Sequence, residues 1–226
     1  MKKKGTLFVV ATPIGNLEDM TFRAVRVLTE SDYILCEDTR VTGKLLKHYA
    51  INKKMKRYDA HSSEKLQAEV LTDLASGAQI ALCSDAGTPG ISDPGVHIID
   101  MVHAQKIDAQ VVAVPGASSV TAAFSIAGIV GNQFSFMGFL PQKKGRQTFF
   151  QKLKEATVPV MFLESTHRIM KALESLEICC PDKTVVIARE ITKFHEEVVR
   201  NTPAKVRQYF LDHVDHQKGE FVVIVY

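Results

Sequence analysis

Apolar and polar positions alternate with two different periods along the first half of the chain. Short apolar runs typical of buried strands occupy residues 6–11, 33–36, 79–83 and 111–114. Helical periodicity between them predicts helices over about 21–31, 39–49 and 96–105, and a further helix that Ser62 or Ser63 caps and Gly77 ends. Strands that alternate with helices predict an α/β fold with a largely parallel sheet, in which ligands bind outside the carboxyl ends of the strands.

The same alternation restarts in the second half, after Pro115 and Gly116 interrupt two periodic segments. Helices are predicted over about 118–127, 145–156, 166–177 and 203–212, and strands over about 134–139, 159–163, 184–188 and 220–226. We therefore expect two α/β lobes, residues 1–115 with a parallel sheet and 116–226 with a mixed sheet. With no repeat or low-complexity linker, the lobes are expected to pack together with a ligand cleft between them.

Residues 84–95, SDAGTPGISDPG, form the most distinctive loop. It follows an apolar strand, holds three glycines and two prolines, and ends at Asp93 and Pro94, which suit the N-cap and first position of a helix. Glycine and proline also mark ordinary turns. This connection is longer than the roughly 2–6 residues that a strand-to-helix turn needs. The surplus length favours a binding loop in which bare backbone approaches a ligand.

Composition narrows the class of protein. The chain has 226 residues, 46% of them hydrophobic, and a formal net charge of +3. No apolar run reaches the ~18 residues of a membrane span, and the N-terminal segment lacks a signal-peptide pattern. We therefore expect a cytoplasmic protein. Its four cysteines show no C-x-x-C spacing and are expected to be reduced.

Basic residues cluster in segments that read as loops or as the N-terminus, and these clusters are candidate RNA contacts or, alternatively, solvated surface charges. Besides Lys2 to Lys4, they comprise Lys53, Lys54 and Arg57, and then Lys143, Lys144 and Arg146. Further loops after predicted strands are TPIGN at 12–16, EDTR at 37–40 and PGASS at 115–119. No P-loop or G-x-G-x-x-G fingerprint is present, which argues against nucleoside triphosphates and NAD.

Seven segments taken in order resemble the tetrapyrrole methylase superfamily and, within it, the ribosomal RNA small subunit methyltransferase I family. They are VATPIGNLEDMTFRAV, CEDTR, SDAGTPGISDPG, VPGASS, GFLP, ESTHR and ARE-x-TKFHEE. The resemblance implies a two-lobed α/β fold used as a homodimer. It also implies S-adenosylmethionine (SAM) as methyl donor and 2′-O-methylation of a cytidine ribose in the decoding region of 16S rRNA. No metal is required for such a transfer.

The resemblance also implies where the cofactor binds. The expected contacts are Pro13, Asp85, Ala86, Gly87, Thr88, Ile91, Ser118 and Ser119, and more loosely Leu163 and Asn201.

A ribose hydroxyl is a poor nucleophile, so a base that removes its proton or a cation that stabilises the resulting alkoxide should lie near the acceptor. The preferred candidates are Glu37, Asp38 and Arg40. The alternative is that they are merely the charged start of a helix, and Arg40 would equally suit a phosphate. Lys193, between Glu190 and Glu196, is a second candidate for catalysis or RNA contact. The alternative is that these three residues form a charged surface exposed to solvent. His61 and His167 are candidate RNA contacts, although a structural hydrogen-bonding role is the favoured interpretation, and His213 to His216 are not expected to bind a metal.

Two alternatives stay open from the sequence: a methyltransferase acting on a tetrapyrrole precursor, and a non-catalytic RNA-binding module on the same fold. The chain departs from the resemblance in one respect. Members of the family commonly continue beyond the final strand with a small helical extension, whereas this sequence stops at Tyr226. Because such an extension would aid RNA docking, we expect its absence to lower RNA affinity more than cofactor affinity.

Overall fold

A computed structural model describes residues 4–59, 62–91 and 96–226. The expected helix start at Asp93 and Pro94, as well as His61, Lys2 and Lys3, lie outside these ranges. The chain divides into two compact units, Met1–Ser118 and Ser119–Tyr226. The sequence pattern predicts that break after Pro115.

Ten strands and eight helices are present in the described ranges. The strands are β1 (Gly5–Val10), β2 (Tyr33–Cys36), β3 (Met55–Arg57), β4 (Gln79–Cys83), β5 (Ala109–Val114), β6 (Ser135–Phe139), β7 (Val160–Ser165), β8 (Val185–Arg189), β9 (Glu197–Asn201) and β10 (Glu220–Val225). The helices are α1 (Phe22–Glu30), α2 (Thr39–His48), α3 (Glu64–Ala75), α4 (Val96–Ala104), α5 (Ser119–Ile126), α6 (Arg146–Glu155), α7 (Ile169–Cys179) and α8 (Pro203–Asp212).

The first unit is a parallel sheet between two helical layers. Its strand order is β3-β2-β4-β1-β5, and all the pairings are parallel. Alternate residues of the strands face opposite layers, so Leu35 and Leu82 pack with α3 and α4 residues, whereas Ile34 and Ala81 pack with α1 and α2 residues. A strand buried on both faces gives the continuous apolar runs that the sequence shows.

Local sequence explains where the helices of this unit begin. The Thr21 hydroxyl accepts a hydrogen bond from Ala24 N–H at 3.1 Å at the start of α1. Ser63 accepts from Leu66 N–H at 3.3 Å and caps α3, as the sequence predicts. Asp38 caps α2 and accepts from Arg40 N–H at 2.8 Å. Such caps satisfy backbone donors that have no partner within the helix.

The second unit is built on a mixed sheet with the order β6-β7-β10-β8-β9. β6 runs parallel to β7, and the other neighbours are antiparallel. Phe162, Phe210, Phe221 and Leu173 are at most 2% exposed in a core that α6, α7 and α8 form with one face of this sheet. The α/β fold class predicted from the sequence is confirmed.

The sequence pattern misses β3 and β9, and each of them is an edge strand. β3 reads Met-Lys-Arg and β9 reads Glu-Val-Val-Arg-Asn. An edge strand has a neighbour on one side only and is often short and charged. Pairing with an apolar neighbour creates these strands, and their own composition carries little signal.

Candidate functional site

Four loops at the carboxyl edge of the first sheet carry most of the expected cofactor and catalytic residues. They follow β1, β2, β4 and β5. β2 and β4 are neighbours in the sheet. From β2 the chain continues to β3, on one side of this pair, and from β4 it continues to β5, on the other side. Because the chain leaves these two strands in opposite directions, their carboxyl ends form the topological switch point where α/β sheets bind ligands.

A backbone bridge joins the loop after β1 to the loop after β4. Thr12 N–H donates to Gly87 O at 2.9 Å, and Gly87 N–H donates to Thr12 O at 3.1 Å. The Thr12 hydroxyl donates to Ser84 O at 3.3 Å, and the Ser84 hydroxyl lies 3.3 Å from the carbonyl oxygens of Ala86 and Gly87. The glycine-rich loop is thereby fixed to its neighbour while Asp85 and Ala86 remain exposed.

The loop after β5 is attached to the same assembly. The Thr88 hydroxyl donates to Ala117 O at 3.0 Å. A Cβ atom on Gly116 would lie 3.0 Å from Ala11 Cβ, so a side chain there would push this loop away from the loop after β1. Three post-strand loops therefore form one rigid edge.

Gly87 carries the strictest steric requirement of this edge. Its φ of +80° lies in the left-handed region, and a Cβ atom there would approach Ile14 Cγ2 to 3.2 Å. Only glycine adopts this conformation readily. Gly87 itself is buried, and both of its backbone groups are bonded to Thr12. This turn therefore holds the loop against Ile14 and leaves Asp85 and Ala86 exposed to a ligand. Of the other expected contacts in this unit, Pro13 is buried, Thr88 and Ser118 are half-buried, and Ile91 is exposed.

Beside these loops, Asp38 organises the start of α2. Its carboxylate accepts from Arg40 Nε at 3.0 and 3.1 Å and from Arg40 Nη2 at 2.6 Å. Its backbone N–H donates to Asp85 Oδ1 at 3.1 Å. The side chain of Arg40 is 87% exposed, so a guanidinium held in one orientation is presented to solvent. Asp38 engages the Nε–Nη2 edge of this guanidinium, and its Nη1–Nη2 edge remains to bind a phosphate or another anion.

The charge state of Asp38 limits what it can do. Hydrogen bonds from Arg40 hold the pKa of the Asp38 carboxyl well below its usual range. A carboxylate this weakly basic is a poor acceptor for a hydroxyl proton. Asp38 therefore orients Arg40, and half-buried Glu37, directly after β2, is the better base candidate on this loop.

Three expected cofactor contacts lie in the second unit. Ser119 is the first residue of α5, Leu163 pairs with Val222 within the sheet, and exposed Asn201 ends β9. The structure describes their local settings and leaves their role in cofactor binding a prediction.

Lys193 stands in a tight loop between β8 and β9. Its Nζ donates to Glu190 Oε1 at 2.9 Å and to Glu220 Oε2 at 3.0 Å. Burial opposes the charged form, but the hydrogen bonds to these two carboxylates outweigh it and raise the pKa of Lys193. A lysine that stays protonated cannot accept a proton. Its geometry therefore supports a role in holding this loop.

The Lys53–Arg57 cluster is divided by β3. Lys53 and Lys54 precede the strand at the amino edge of the sheet, whereas Arg57 pairs with Cys36 at the carboxyl edge. Arg57 Nε lies 2.8 Å from Asp59 Oδ2, and its charge contributes to lowering the pKa of Asp38. Arg57 thus lies at the edge that carries the candidate site, and the two lysines do not.

The second basic cluster is divided as well. Lys143 and Lys144 are exposed in the loop before α6. The Arg146 guanidinium instead donates to Pro141 O at 3.4 Å, to Lys171 O at 3.2 Å and to Ser175 Oγ at 3.0 Å. Its contacts support a structural role that ties α6 to α7.

The ESTHR segment contains a buried ion pair. The fully buried carboxylate of Glu164 lies 2.7 Å from Arg168 Nε, and Arg168 Nη1 donates to Leu140 O at 3.1 Å. Burial raises the pKa of Glu164, against the opposing effects of Ser165 and Arg168. The pair anchors the end of β6, from which the loop with Lys143 and Lys144 departs.

The histidines singled out in the sequence make local contacts. His213 Nδ1 lies 2.8 Å from Tyr209 O, and His216 Nδ1 lies 3.0 Å from Glu197 Oε2. His167 is exposed. Across residues 4–59, 62–91 and 96–226, no group of three acidic, histidine or cysteine side chains could hold a metal ion.

Sequence reasoning misses the residues that lock the loops together. Thr12, Ser84 and Ala117 make the bridging contacts, yet none of them stands among the expected site residues. Their position directly after strand ends is the available signal, because hydroxyl and carbonyl groups there face the neighbouring loops.

Comparison with known sequences decides the family. The sequence pattern of the tetrapyrrole (corrin/porphyrin) methylases matches residues 6–206 of this chain. The chain belongs to the tetrapyrrole methylase family. This match spans all four loops of the carboxyl edge and most of the second unit, so the resemblance read from the motifs is confirmed.

Within this family, the chain is similar to curated proteins named ribosomal RNA small subunit methyltransferase I. It is 43% identical to that of Halalkalibacterium halodurans over 223 residues, which cover 98% of this chain and 76% of the relative. It is 39% identical to that of Thermotoga maritima over 223 residues, covering 98% of each. The chain therefore also belongs to this methyltransferase family.

Solved structures of other tetrapyrrole methylase-like proteins share the fold. The methyltransferase CobJ superposes with a TM-score of 0.69 at 18% identity, covering 98% of this chain and 93% of CobJ. Diphthine synthase superposes with a TM-score of 0.72 at 14% identity, covering 97% of this chain and 89% of the synthase. Uroporphyrin-III C-methyl transferase from Thermus thermophilus, solved with S-adenyl homocysteine, superposes with a TM-score of 0.62 at 16% identity, covering 97% of each chain.

Proposed function

We propose that this protein transfers a methyl group from SAM to small-subunit ribosomal RNA, and that the acceptor is the 2′-hydroxyl of a cytidine in the decoding region of 16S rRNA. The observation that carries the proposal is the 43% identity over 98% of the chain to a curated rRNA methyltransferase. The rigid loop edge of the first unit supports it, because that edge has the features a SAM site needs.

The residues at this edge fit SAM in shape and charge. The exposed backbone of Asp85 and Ala86, held in place by the buried turn at Gly87, admits close approach of a ligand, and the carboxylate of Asp85 suits a molecule with a sulfonium and an ammonium group. When bound, SAM supplies an electrophilic methyl group for in-line attack. We assign Asp85, Ala86, Gly87, Thr88, Ile91 and Ser118 to holding it, with Pro13 shaping the edge from below the surface.

The acceptor side is assigned to the loop after β2. Glu37 accepts the proton of the attacking ribose hydroxyl, so that the oxygen–methyl bond forms as the sulfur–methyl bond breaks. Arg40, held by Asp38, binds a phosphate beside that ribose and aligns the hydroxyl. Arg57, Lys143 and Lys144 add sequence-independent contacts to the RNA backbone.

The setting of the reaction follows from its substrate. No helix within the described part of the chain is long and apolar enough to cross a membrane. We place the reaction in the cytoplasm, where ribosomal subunits are assembled, and we expect the enzyme to act as a homodimer.

Methyl transfer with defined acceptors tests this function. The protein is incubated with methyl-labelled SAM and with small subunits, free 16S rRNA or uroporphyrinogen. Label in RNA, recovered in an alkali-resistant dinucleotide containing cytidine, is the expected result because a 2′-O-methyl group blocks hydrolysis of the adjacent linkage.

The other outcomes would replace the proposal with a definite alternative. Label in uroporphyrinogen alone identifies a tetrapyrrole methyltransferase. No label in any acceptor, with RNA binding intact, identifies a non-catalytic RNA-binding module. Label in an alkali-sensitive nucleotide moves the acceptor from the ribose to a base.

A further inference from the structure

Phe194 is an aromatic side chain that projects into solvent from the loop between β8 and β9. It is 96% exposed, and its ring meets that of His195 edge to face at 5.0 Å. Single exposed hydrophobic residues are common on protein surfaces and need no explanation alone. The loop that carries this ring and the cavity beside it distinguish Phe194.

The loop is held rigidly on both sides of Phe194. Lys193 N–H donates to Glu190 O at 2.9 Å, and Thr192 N–H donates to Glu196 Oε2 at 2.5 Å. Glu190 and Thr192 both have positive φ, 49° and 68°, which non-glycine residues rarely adopt. The ring is therefore presented from an ordered backbone, so a ligand that stacks on it orders little additional chain.

Arg189 fixes the far side of the same loop. Its Nη1 donates to His195 O at 3.1 Å, and its Nε donates to Lys218 O at 2.8 Å. A cavity of about 610 Å³ lies next to the ring, and Arg189, His195, Glu197, His216 and Lys218 line part of it. That volume falls within the ~300–1,000 Å³ typical of small-molecule sites.

The charge of this cavity indicates what enters it. Four carboxylates line it, those of Glu190, Glu196, Glu197 and Asp215, against the two cations of Arg189 and Lys218. Three of these carboxylates are paired, Glu197 with Arg189, Asp215 with Lys218 and Glu190 with Lys193, so the basic side chains here are already engaged and attract a phosphate group only weakly. The edge of a neutral nucleobase carries donors that carboxylates accept, such as the amino group of cytosine.

We propose that Phe194 is a stacking platform for an unpaired base of the RNA substrate, whose polar edge enters this cavity. The inference rests on the proposed rRNA methyltransferase function and adds a substrate-positioning surface to it. Unpaired RNA bases commonly stack on exposed aromatic side chains, and this contact tolerates any base because every base has a flat face.

A nucleobase fits this surface better than a second copy of the chain does. Within the described residues that line the cavity, Phe194 is the one large apolar side chain. Cores of protein–protein interfaces are depleted in charged residues, and this lining is dominated by them. One flat ring beside a polar cavity matches the two parts of a base, its face and its edge.

The composition of the chain provides a direct test. It contains no tryptophan, so Phe194→Trp introduces a single fluorophore that can itself stack on a base. Saturation of this variant with a single-stranded RNA from the decoding region is expected to quench its fluorescence. Ile178→Trp is the matched control, because Ile178 is 75% exposed at the end of α7 and does not line this cavity, and its fluorescence should not change.

A kinetic measurement uses the complementary substitution. Phe194→Ala is expected to raise KM for the RNA by about 10-fold with SAM affinity unchanged, the size of effect expected for loss of one base–aromatic stack. Phe194→Trp should restore KM, and Ile178→Ala should leave it unaltered. An unchanged KM for Phe194→Ala would overturn the proposal. So would unquenched fluorescence of the Phe194→Trp variant under conditions in which the anisotropy of labelled RNA shows that the RNA is bound.

Two further results separate this proposal from its alternatives. If Phe194→Ala shifts the oligomeric state in sedimentation velocity, the ring is a contact between copies, and stacking is rejected. If wild-type protein methylates no RNA, the proposed function fails, whereas the fluorescence titration still reports whether a base stacks on residue 194.

Discussion

The carboxylate of Asp38 holds the guanidinium of Arg40 through hydrogen bonds of 2.6, 3.0 and 3.1 Å, and at the same time caps helix α2. One acidic residue therefore sets both the start of a helix and the direction of an exposed cation. This arrangement separates the chemical roles within the EDTR segment, because the ion pair occupies the Asp38 carboxylate and leaves the Arg40 side chain exposed, where we propose that it binds the RNA.

Arg40→Ala is expected to lower kcat/KM for RNA by about 10- to 100-fold, the range for loss of a hydrogen bond to a charged group. SAM affinity, measured by calorimetry, should not change, because the contacts that form the cofactor edge do not involve Arg40. Arg26→Ala, which removes another exposed arginine paired with a carboxylate at 3.1 Å, is the control. Weakened SAM binding by Arg40→Ala would move Arg40 to the cofactor side.

The low pKa of Asp38 predicts a specific dependence of stability on pH. A carboxyl group with a lowered pKa in the folded state stabilises the fold above its unfolded value of about 3.9, and loses that contribution as the pH falls. Asn at position 38 keeps a capping oxygen but has no charge. The stability difference between wild type and Asp38→Asn should therefore be constant from pH 6 to 8 and shrink below about pH 4 in urea denaturation.

Gly87→Val should abolish SAM binding. The substitution places a branched side chain at φ +80°, with its Cβ 3.2 Å from Ile14 Cγ2, and so displaces the loop that presents Asp85 and Ala86. Gly145→Val is the matched control, because Gly145 has φ +87° and no atom within 4 Å of an added Cβ. Both variants should lose stability from backbone strain, by roughly 1–3 kcal/mol. If Gly87→Val retains SAM affinity, the assigned cofactor edge is wrong.

Glu164→Leu should destabilise the second unit by about 3 kcal/mol, the lower end of the range for breaking a buried ion pair. The lower end applies because Arg168 remains 26% exposed and is partly solvated. Glu30→Leu removes an exposed partner of Arg26 and should change the free energy of unfolding by less than about 0.5 kcal/mol. Urea denaturation of both variants checks the contrast.

The raised pKa of Glu164 also predicts how the stability of the second unit depends on pH. Burial raises the pKa of this carboxyl, so the folded state binds its proton more tightly than the unfolded chain does. Its contribution to stability therefore falls as the pH rises through the ordinary value of about 4.3 and the raised value above it. Glu164→Gln should lack this decline.

The two halves of the second basic cluster should respond differently to substitution. Removing Lys143 and Lys144 together should reduce the slope of log K for RNA against log salt by about 1.4, if each contacts one phosphate of a single strand. Stability should be unchanged, since both side chains are exposed. Arg146→Ala should lower the melting temperature, because its guanidinium binds Pro141, Lys171 and Ser175. An unchanged salt slope for the double lysine variant would remove this loop from the RNA interface.

The limits of sequence reasoning are visible in particular elements. β2, β4 and α8 begin and end where the pattern predicts, because strong apolar runs or a proline at the first helical position mark them. β3 and β9 were missed because edge strands are specified by their neighbours. The cap of α3 was predicted as Ser62 or Ser63, of which Ser63 is the cap, because capping depends on residues three positions apart.

The sequence by itself determined the fold class, the family and the glycine-rich loop, since periodicity, capping and motifs are properties of neighbouring residues. Only the tertiary structure decided the partners of the charged side chains. Asp38 meets Asp85 across 47 positions, and Arg146 meets Ser175 across 29. The charge state of a carboxylate and the availability of an arginine depend on contacts made when distant segments pack, and no local pattern records them.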